Sequence, residues 1–254
     1  MPLSEKFPIP AYSVANPNAN TPCLITCEHA SNFIPAAYQQ LGLSPDLLDE
    51  HIAWDRGAGK LTEYLAEKLN CTAVLCQYSR LLIDCNRPLN VPSSILEISE
   101  HHPIPGNQAL SREEKELRAE HIFTPFHRTI ETQINRLKSQ FSQFPMIGVH
   151  SFSPNFHGQP RPWKFSVMWK HKTPFVKGII DYFQRHEQAQ WVGFNEPYSA
   201  KEIAAHTTEY HADRNQLPNL IFEVRQDLLE SDKDIQYWGE QIYQALAAVE
   251  AAYT

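Results

Sequence analysis

Glycine is scarce in this 254-residue chain, with nine in all, and no apolar run approaches a membrane span. A bilayer-crossing helix needs about 20 consecutive apolar residues, so no membrane partner is expected. The first residues, MPLSEKFPIPAYSVANPNANTP, place no basic segment ahead of an apolar stretch. That argues against a secretory leader and gives a cytoplasmic expectation. Cysteine is also sparse: Cys23, Cys27, Cys71, Cys76 and Cys85 are an odd number without a CxxC pair. Neither a disulfide framework nor a thiolate zinc site fits this spacing, and reduced, buried thiols are expected. Positive charge is short as well. The 22 Lys and Arg against 29 Asp and Glu give a net charge of −7, with no basic cluster. Phosphate recognition needs clustered cations, so nucleic acid is not an expected partner.

What is present suits one large α/β domain. Apolar residues make up 42% and charged residues 20%, ordinary values for a globular protein. Residues 1–21, rich in Pro, Asn and Ser, are expected to run extended over the surface ahead of a single domain, 22–254. Apolar runs predict strands over 23–27, 71–79, 80–86, 146–150, 165–169, the WVGF stretch (191–194) and 220–225. Helices are predicted from Ser44-Pro45-Asp46, over 57–69, from the Ser111/Glu114 capping pattern onward, over 174–186 and over 232–252. Pro125 should kink or break the long tract that holds it, while 91–108 and the NEPYS stretch (195–199) read as loops. His121 and His127 fall on the outer face of that tract. Alternating strands and helices without repeats predict a mostly parallel or mixed central sheet flanked by helices.

Strand ends carry the chemistry. LITCEH ends in Glu28 and His29, LLIDCNR in Asp84, Asn86 and Arg87, MIGVH in His150, and LIFEVRQD brings Glu223, Arg225 and Asp227. Open α/β sheets place their sites at the carboxyl ends of strands. Two histidines from separate strands plus one carboxylate make a catalytic zinc set with a position left for water. The third ligand can come from Asp55, Glu28 or Asn32. Glu223, framed by Ile221, Phe222 and Val224, suits a general base. Neighbouring arginines such as Arg225 suit a substrate carboxylate, which a guanidinium grips through paired hydrogen bonds.

Eight stretches then match a known pattern in order: LITCEHASNFIP, HIAWDRGA, YSRLLIDCNRP, IPGN, IGVHSFSP, GQPRPW, VGFNEPYS and LPNLIFEVRQDLL. Together they resemble the N-formylglutamate amidohydrolase family over about residues 22–245. The resemblance implies a zinc carboxypeptidase-like fold, one zinc ion or another divalent metal, and a small-molecule carboxylate substrate. It implies His29 and His150 as metal ligands, Asn86 and Arg87 as carboxylate binders, and Glu223 as general base. Carboxypeptidases carry a ligand glutamate three residues after the first histidine, where this chain has Asn32. Asp55 fits an acidic position that the family keeps, and Glu28, as the strand neighbour of His29, should point away from it. Arg80, as a donor to the oxyanion, and Arg161 are further candidates for a substrate with two carboxylates. The expected reaction is hydrolysis of N-formyl-L-glutamate to formate and glutamate. Alternatives are another N-acyl amino acid or short peptide, or a carboxylate-binding protein that has lost its metal.

Overall fold

The computed structural model describes residues 2–156, 158–197 and 206–250. Strands β1 (Tyr12–Ala15), β2 (Leu24–Cys27) and β3 (Thr72–Cys76) precede a small ribbon of β4 (Ile98–Ser99) and β5 (His102–Pro103). The chain continues through β6 (Met146–Phe152), a second ribbon of β7 (Asn155–Phe156) and β8 (Gln159–Pro160), then β9 (Phe165–Met168), β10 (Val192–Phe194) and β11 (Asn219–Arg225). Seven strands form one mixed sheet in the order β1-β3-β2-β6-β11-β9-β10. Strands β3, β2, β6 and β11 run parallel to one another, while β1 and β9 pair antiparallel with β3 and β11.

The central parallel strands are apolar on both faces because helices cover both. Ile25, Cys27, Ala73, Leu75, Ile147, Val149 and Phe222 face the helices Ala58–Lys68, Pro174–Arg185 and Asp232–Glu250. The alternate residues Leu24, Val74, Cys76 and Met146 face the helix Thr124–Lys138. That helix presents Phe126, Ile130, Ile134 and Leu137 on one stripe, the spacing of a core-facing helix. The five cysteines are buried and form no disulfide, as expected. Among the described residues, no helix is long and apolar enough to cross a membrane.

Several expectations are corrected. The N-terminal segment is not merely draped over the surface: β1 forms the edge of the sheet, with Tyr12 opposite Cys76 and Ala15 opposite Ala73. Asn16 fastens its end, donating from Nδ2 to the Ala66 carbonyl at 2.8 Å. Residues 80–86 are not a strand. Leu81, Leu82 and Ile83 are all buried, so this stretch has no solvent face, and its amides bond locally or to Ser94. Pro125 does not break its tract. One π-helical turn, Ala119–Phe123, joins Arg112–Arg118 to Thr124–Lys138, so the proline falls in a first turn where no amide hydrogen is needed. His127 is buried, not outward-facing. The last helix extends over Asp232–Glu250, and residues 251–252 of the expected span lie outside the described residues, as do Tyr198 and Ser199 of the NEPYS loop.

Gly57 fixes the turn that delivers Asp55 to the sheet. Its φ is +78°, and a Cβ there would lie 2.4 Å from Leu229 Cβ. Gly57→Ala is therefore expected to destabilise the fold by about 1–3 kcal/mol, from left-handed strain and overpacking. A thermal unfolding midpoint equal to that of the wild type would refute this role.

Candidate metal centre and active site

Strand β2 ends at Cys27, and the chain turns at once, which swings His29 over the carboxyl end of the sheet. The Asp55 amide donates to the His29 carbonyl at 3.0 Å, so the turn before the helix Ala58–Lys68 is laced to this bend. On β6, His150 points to the same place, and Glu223 on β11 is its register partner. Neighbours in parallel register share a face, so His150 and Glu223 stand side by side.

The two imidazoles are arranged alike. His29 Nδ1 lies 3.2 Å and His150 Nδ1 2.8 Å from the same oxygen, Asp55 Oδ2. Each Nε2 meets a different carboxylate: His29 faces Asp84 Oδ1 at 2.8 Å and His150 faces Glu28 Oε2 at 2.8 Å. A carboxylate can only accept, so an Nε2–H donated to Asp84 or Glu28 leaves Nδ1 to offer a lone pair to an ion beside Asp55 once the ion displaces any Nδ1 proton. Metal-binding histidines have this arrangement, with the far nitrogen held by a carboxylate. Two imidazole nitrogens and a carboxylate oxygen within 4.8 Å of one another form a buried group that could hold a metal ion. The buried Asp55 carboxylate between the two rings needs a positive partner, which a proton on a ring or a metal ion can supply. Nitrogen and oxygen donors of this kind suit zinc, so the residues present fit the ion expected from sequence.

The electrostatics agree. Burial alone would raise the Asp55 carboxyl, but His29 and His150 outweigh it and hold the carboxyl well below its ordinary value. For His150, burial favours the neutral ring, yet the hydrogen bonds it donates to Asp55 and Glu28 lift the imidazolium well above its usual range. Burial is again opposed at Asp84, where His29 and Arg80 hold the carboxylate low, and at Glu28, where His150 does so. Glu223 behaves differently: burial pushes it up to about 7. A carboxylate with that value exchanges protons at neutral pH, as a general base must.

These groups open on a cavity of ≈ 160 Å³ that Arg80, Asn86 and Arg87 also line. Arg80 spans the carboxylates, donating from Nη2 to Asp84 Oδ2 at 3.0 Å and from Nη1 to Asp55 Oδ1 at 3.4 Å. The other two arginines do not line this cavity. Arg161 donates to the Ser153 carbonyl at 3.1 Å and lies over the Phe156 ring. Arg225 pairs with Asp227 at 2.8 Å and donates toward the carbonyls of Arg161 and Trp163. Asn32 is also remote from the cavity: its Nδ2 donates to the Leu48 carbonyl at 2.9 Å, tying two loops together.

Glu28, ranked below Asp55 as third ligand, does not point away from the site: its Oε2 meets His150 Nε2. The alternation rule holds only inside a strand, and Glu28 lies one residue beyond β2. Glu28 and Asp84 are contacts of the histidines rather than additional members of the three-residue group. His51, four residues before Asp55, was not anticipated. Its Nδ1 stands 3.6 Å from Asp55 Oδ1, and burial lowers its imidazole to about 4. Met168 and Ile221 supply the apolar part of the wall. Cross-strand neighbours in β9 and β11, they carry no polar signal that would reveal them in sequence.

The mixed sheet, with imidazoles and carboxylates gathered at the ends of its parallel strands, defines an α/β protein with a candidate hydrolytic metal centre. A family model described as N-formylglutamate amidohydrolase matches residues 21–230, and the chain belongs to that family. A solved structure of a gene product from Agrobacterium tumefaciens is similar at 30% identity and a TM-score of 0.92, with 96% of each chain covered. The N-formylglutamate amidohydrolase of Ralstonia eutropha JMP134 is similar in fold, at 19% identity and a TM-score of 0.67, over 96% of this chain and 98% of that one. Among curated proteins there is no significant match.

Proposed function

We propose that the protein is a zinc-dependent amidohydrolase that cleaves N-formyl-L-glutamate to formate and glutamate. One observation carries the reading: a buried His29–Asp55–His150 set and the raised carboxyl of Glu223 share one small cavity with Asn86 and Arg87. His29, Asp55 and His150 would hold the metal. When bound, zinc supplies Lewis acidity and lowers the pKa of water to about 7. Glu223 takes the proton from the attacking water and passes it to the departing amine as the C–N bond breaks. Arg80 keeps positive charge at the wall where the formyl oxygen becomes negative. Asn86 and Arg87 grip a substrate carboxylate, which holds the formyl group in line with Glu223. In this reading Arg161 and Arg225 hold the β7–β8 ribbon and the end of β11, and do not meet the substrate.

The test is release of formate from N-formyl-L-glutamate and N-formyl-L-alanine, and of acetate from N-acetyl-L-glutamate, by the zinc-loaded protein. Turnover is expected to be fastest with the first, and to stop when a chelator strips the metal. Release from the acetyl compound alone would move the activity to another N-acyl amino acid. No turnover of any member by metal-loaded protein would overturn the enzymatic reading.

A further inference from the structure

Beside the Cys85–Asn86 main chain three histidines gather, with the His127 ring 5.5 Å from that of His206 and 5.1 Å from that of His211. His127 and His211 are 7% and 4% exposed, and neither lines the cavity. His127 Nε2 lies 2.9 Å from the Cys85 carbonyl, and His127 Nδ1 lies 2.9 Å from His211 Nε2. A carbonyl only accepts, so His127 carries its proton on Nε2, and in the neutral ring Nδ1 becomes an acceptor. His211 must therefore donate from Nε2. One carbonyl thus fixes the tautomer of two rings in series. Burial lowers His127 to about 4 and His211 to about 3, which keeps both neutral at ordinary pH.

The same carbonyl accepts from Thr207 Oγ1 at 3.2 Å. One residue on, the Asn86 carbonyl accepts from the His206 amide at 3.3 Å, and Asn86 Oδ1 accepts from the Thr207 amide at 3.0 Å. With Oδ1 committed to that amide, Asn86 has its Nδ2 donors to offer to a ligand. Arg87 folds back, donating from Nη1 to the Asn86 carbonyl at 2.9 Å. Residues 85–87 are thereby held from behind by side chains that are themselves ordered by hydrogen bonds. Two buried imidazoles in series behind one carbonyl are a costly way to fill space that an apolar side chain could fill.

We infer that the His127–His211 pair positions the Asn86–Arg87 segment to receive the substrate carboxylate. The inference rests on the reading above that Asn86 and Arg87 bind that carboxylate. These histidines are positioning residues, since neither lines the cavity that the substrate enters.

His127→Phe keeps an aromatic ring and removes both nitrogens. It is expected to raise KM for N-formyl-L-glutamate about tenfold or more, with kcat changed less than about threefold and zinc content unchanged. His127→Gln can still donate to the Cys85 carbonyl, and is expected to restore KM to within about threefold of the wild type. Binding of L-glutamate to zinc-loaded protein, followed by calorimetry, should weaken and recover in parallel. Unchanged KM and glutamate affinity in His127→Phe would overturn the inference, as would a glutamine variant no better than the phenylalanine one. Should His127→Phe fail to fold, His211→Leu leaves the His127–Cys85 bond in place and is expected to raise KM by a smaller factor; an unchanged KM there again counts against positioning. Wild-type protein that releases no formate overturns the functional reading instead, so the two failures are distinct.

Discussion

Glu223→Gln is expected to lower kcat by about 10²- to 10⁴-fold while leaving the bound metal in place. The amide has the shape of the carboxylic acid but cannot take a proton from water at neutral pH. It neither belongs to the His29–Asp55–His150 set nor removes a partner of either histidine, so zinc content should stay at the wild-type level. In the wild type, the acidic limb of the rate profile should follow Glu223, because only its ionised form acts as a base. Burial places that group at about 7 in the protein alone, and a cation beside it moves the limb to lower pH. Activity within tenfold of the wild type would exclude Glu223 as the base.

The second large effect concerns Asp55. Its Oδ2 receives both Nδ1 atoms, so Asp55→Ala should abolish stable metal binding and with it all turnover. Asp84→Asn and Glu28→Gln act one bond further out. Each weakens the acceptor on one Nε2, and each should reduce zinc affinity by about 10- to 100-fold. Competition against a chromogenic chelator separates the two classes without reference to activity. Equal affinities for Asp55→Ala and Glu28→Gln would show that Asp55 is not a ligand. No change in Asp84→Asn would show that His29 is oriented by something else.

The strands that end in His29, His150 and Glu223 are short apolar runs with a polar stop, and that pattern was legible in sequence. Asp55 was reachable too, though through resemblance rather than periodicity. What stayed hidden depends on contacts between distant segments. Strand alternation ranks Glu28 below Asp55 only if β2 runs one residue further, whereas the chain already turns there. Asp84 was in view without a role, because residues 80–86 read as a strand and the fold makes them a buried turn. His127 lies three residues before Ile130, at the edge of the apolar stripe, where its polar ring reads as solvent-facing. Its burial comes from the segment around His211, 84 residues later, which no local pattern reports. Arg161 and Arg225 show the converse. Positive charge near a catalytic motif suggested a substrate contact, whereas Ser153 and Asp227 occupy them.

Since Glu223 and His150 are paired in register on adjacent parallel strands, their separation is set by the backbone ladder and not by side-chain reach. Strands in a sheet stand about 4.8 Å apart, so the sheet serves as a ruler between the proposed base and the candidate metal centre. Loops at the rim can be lengthened or exchanged to admit other acyl groups while that ruler stays fixed. A single residue inserted into β11 ahead of Glu223 has the opposite result. It turns the base to the far side of the sheet, among the helices, and leaves an intact metal centre with nothing beside it to move the proton.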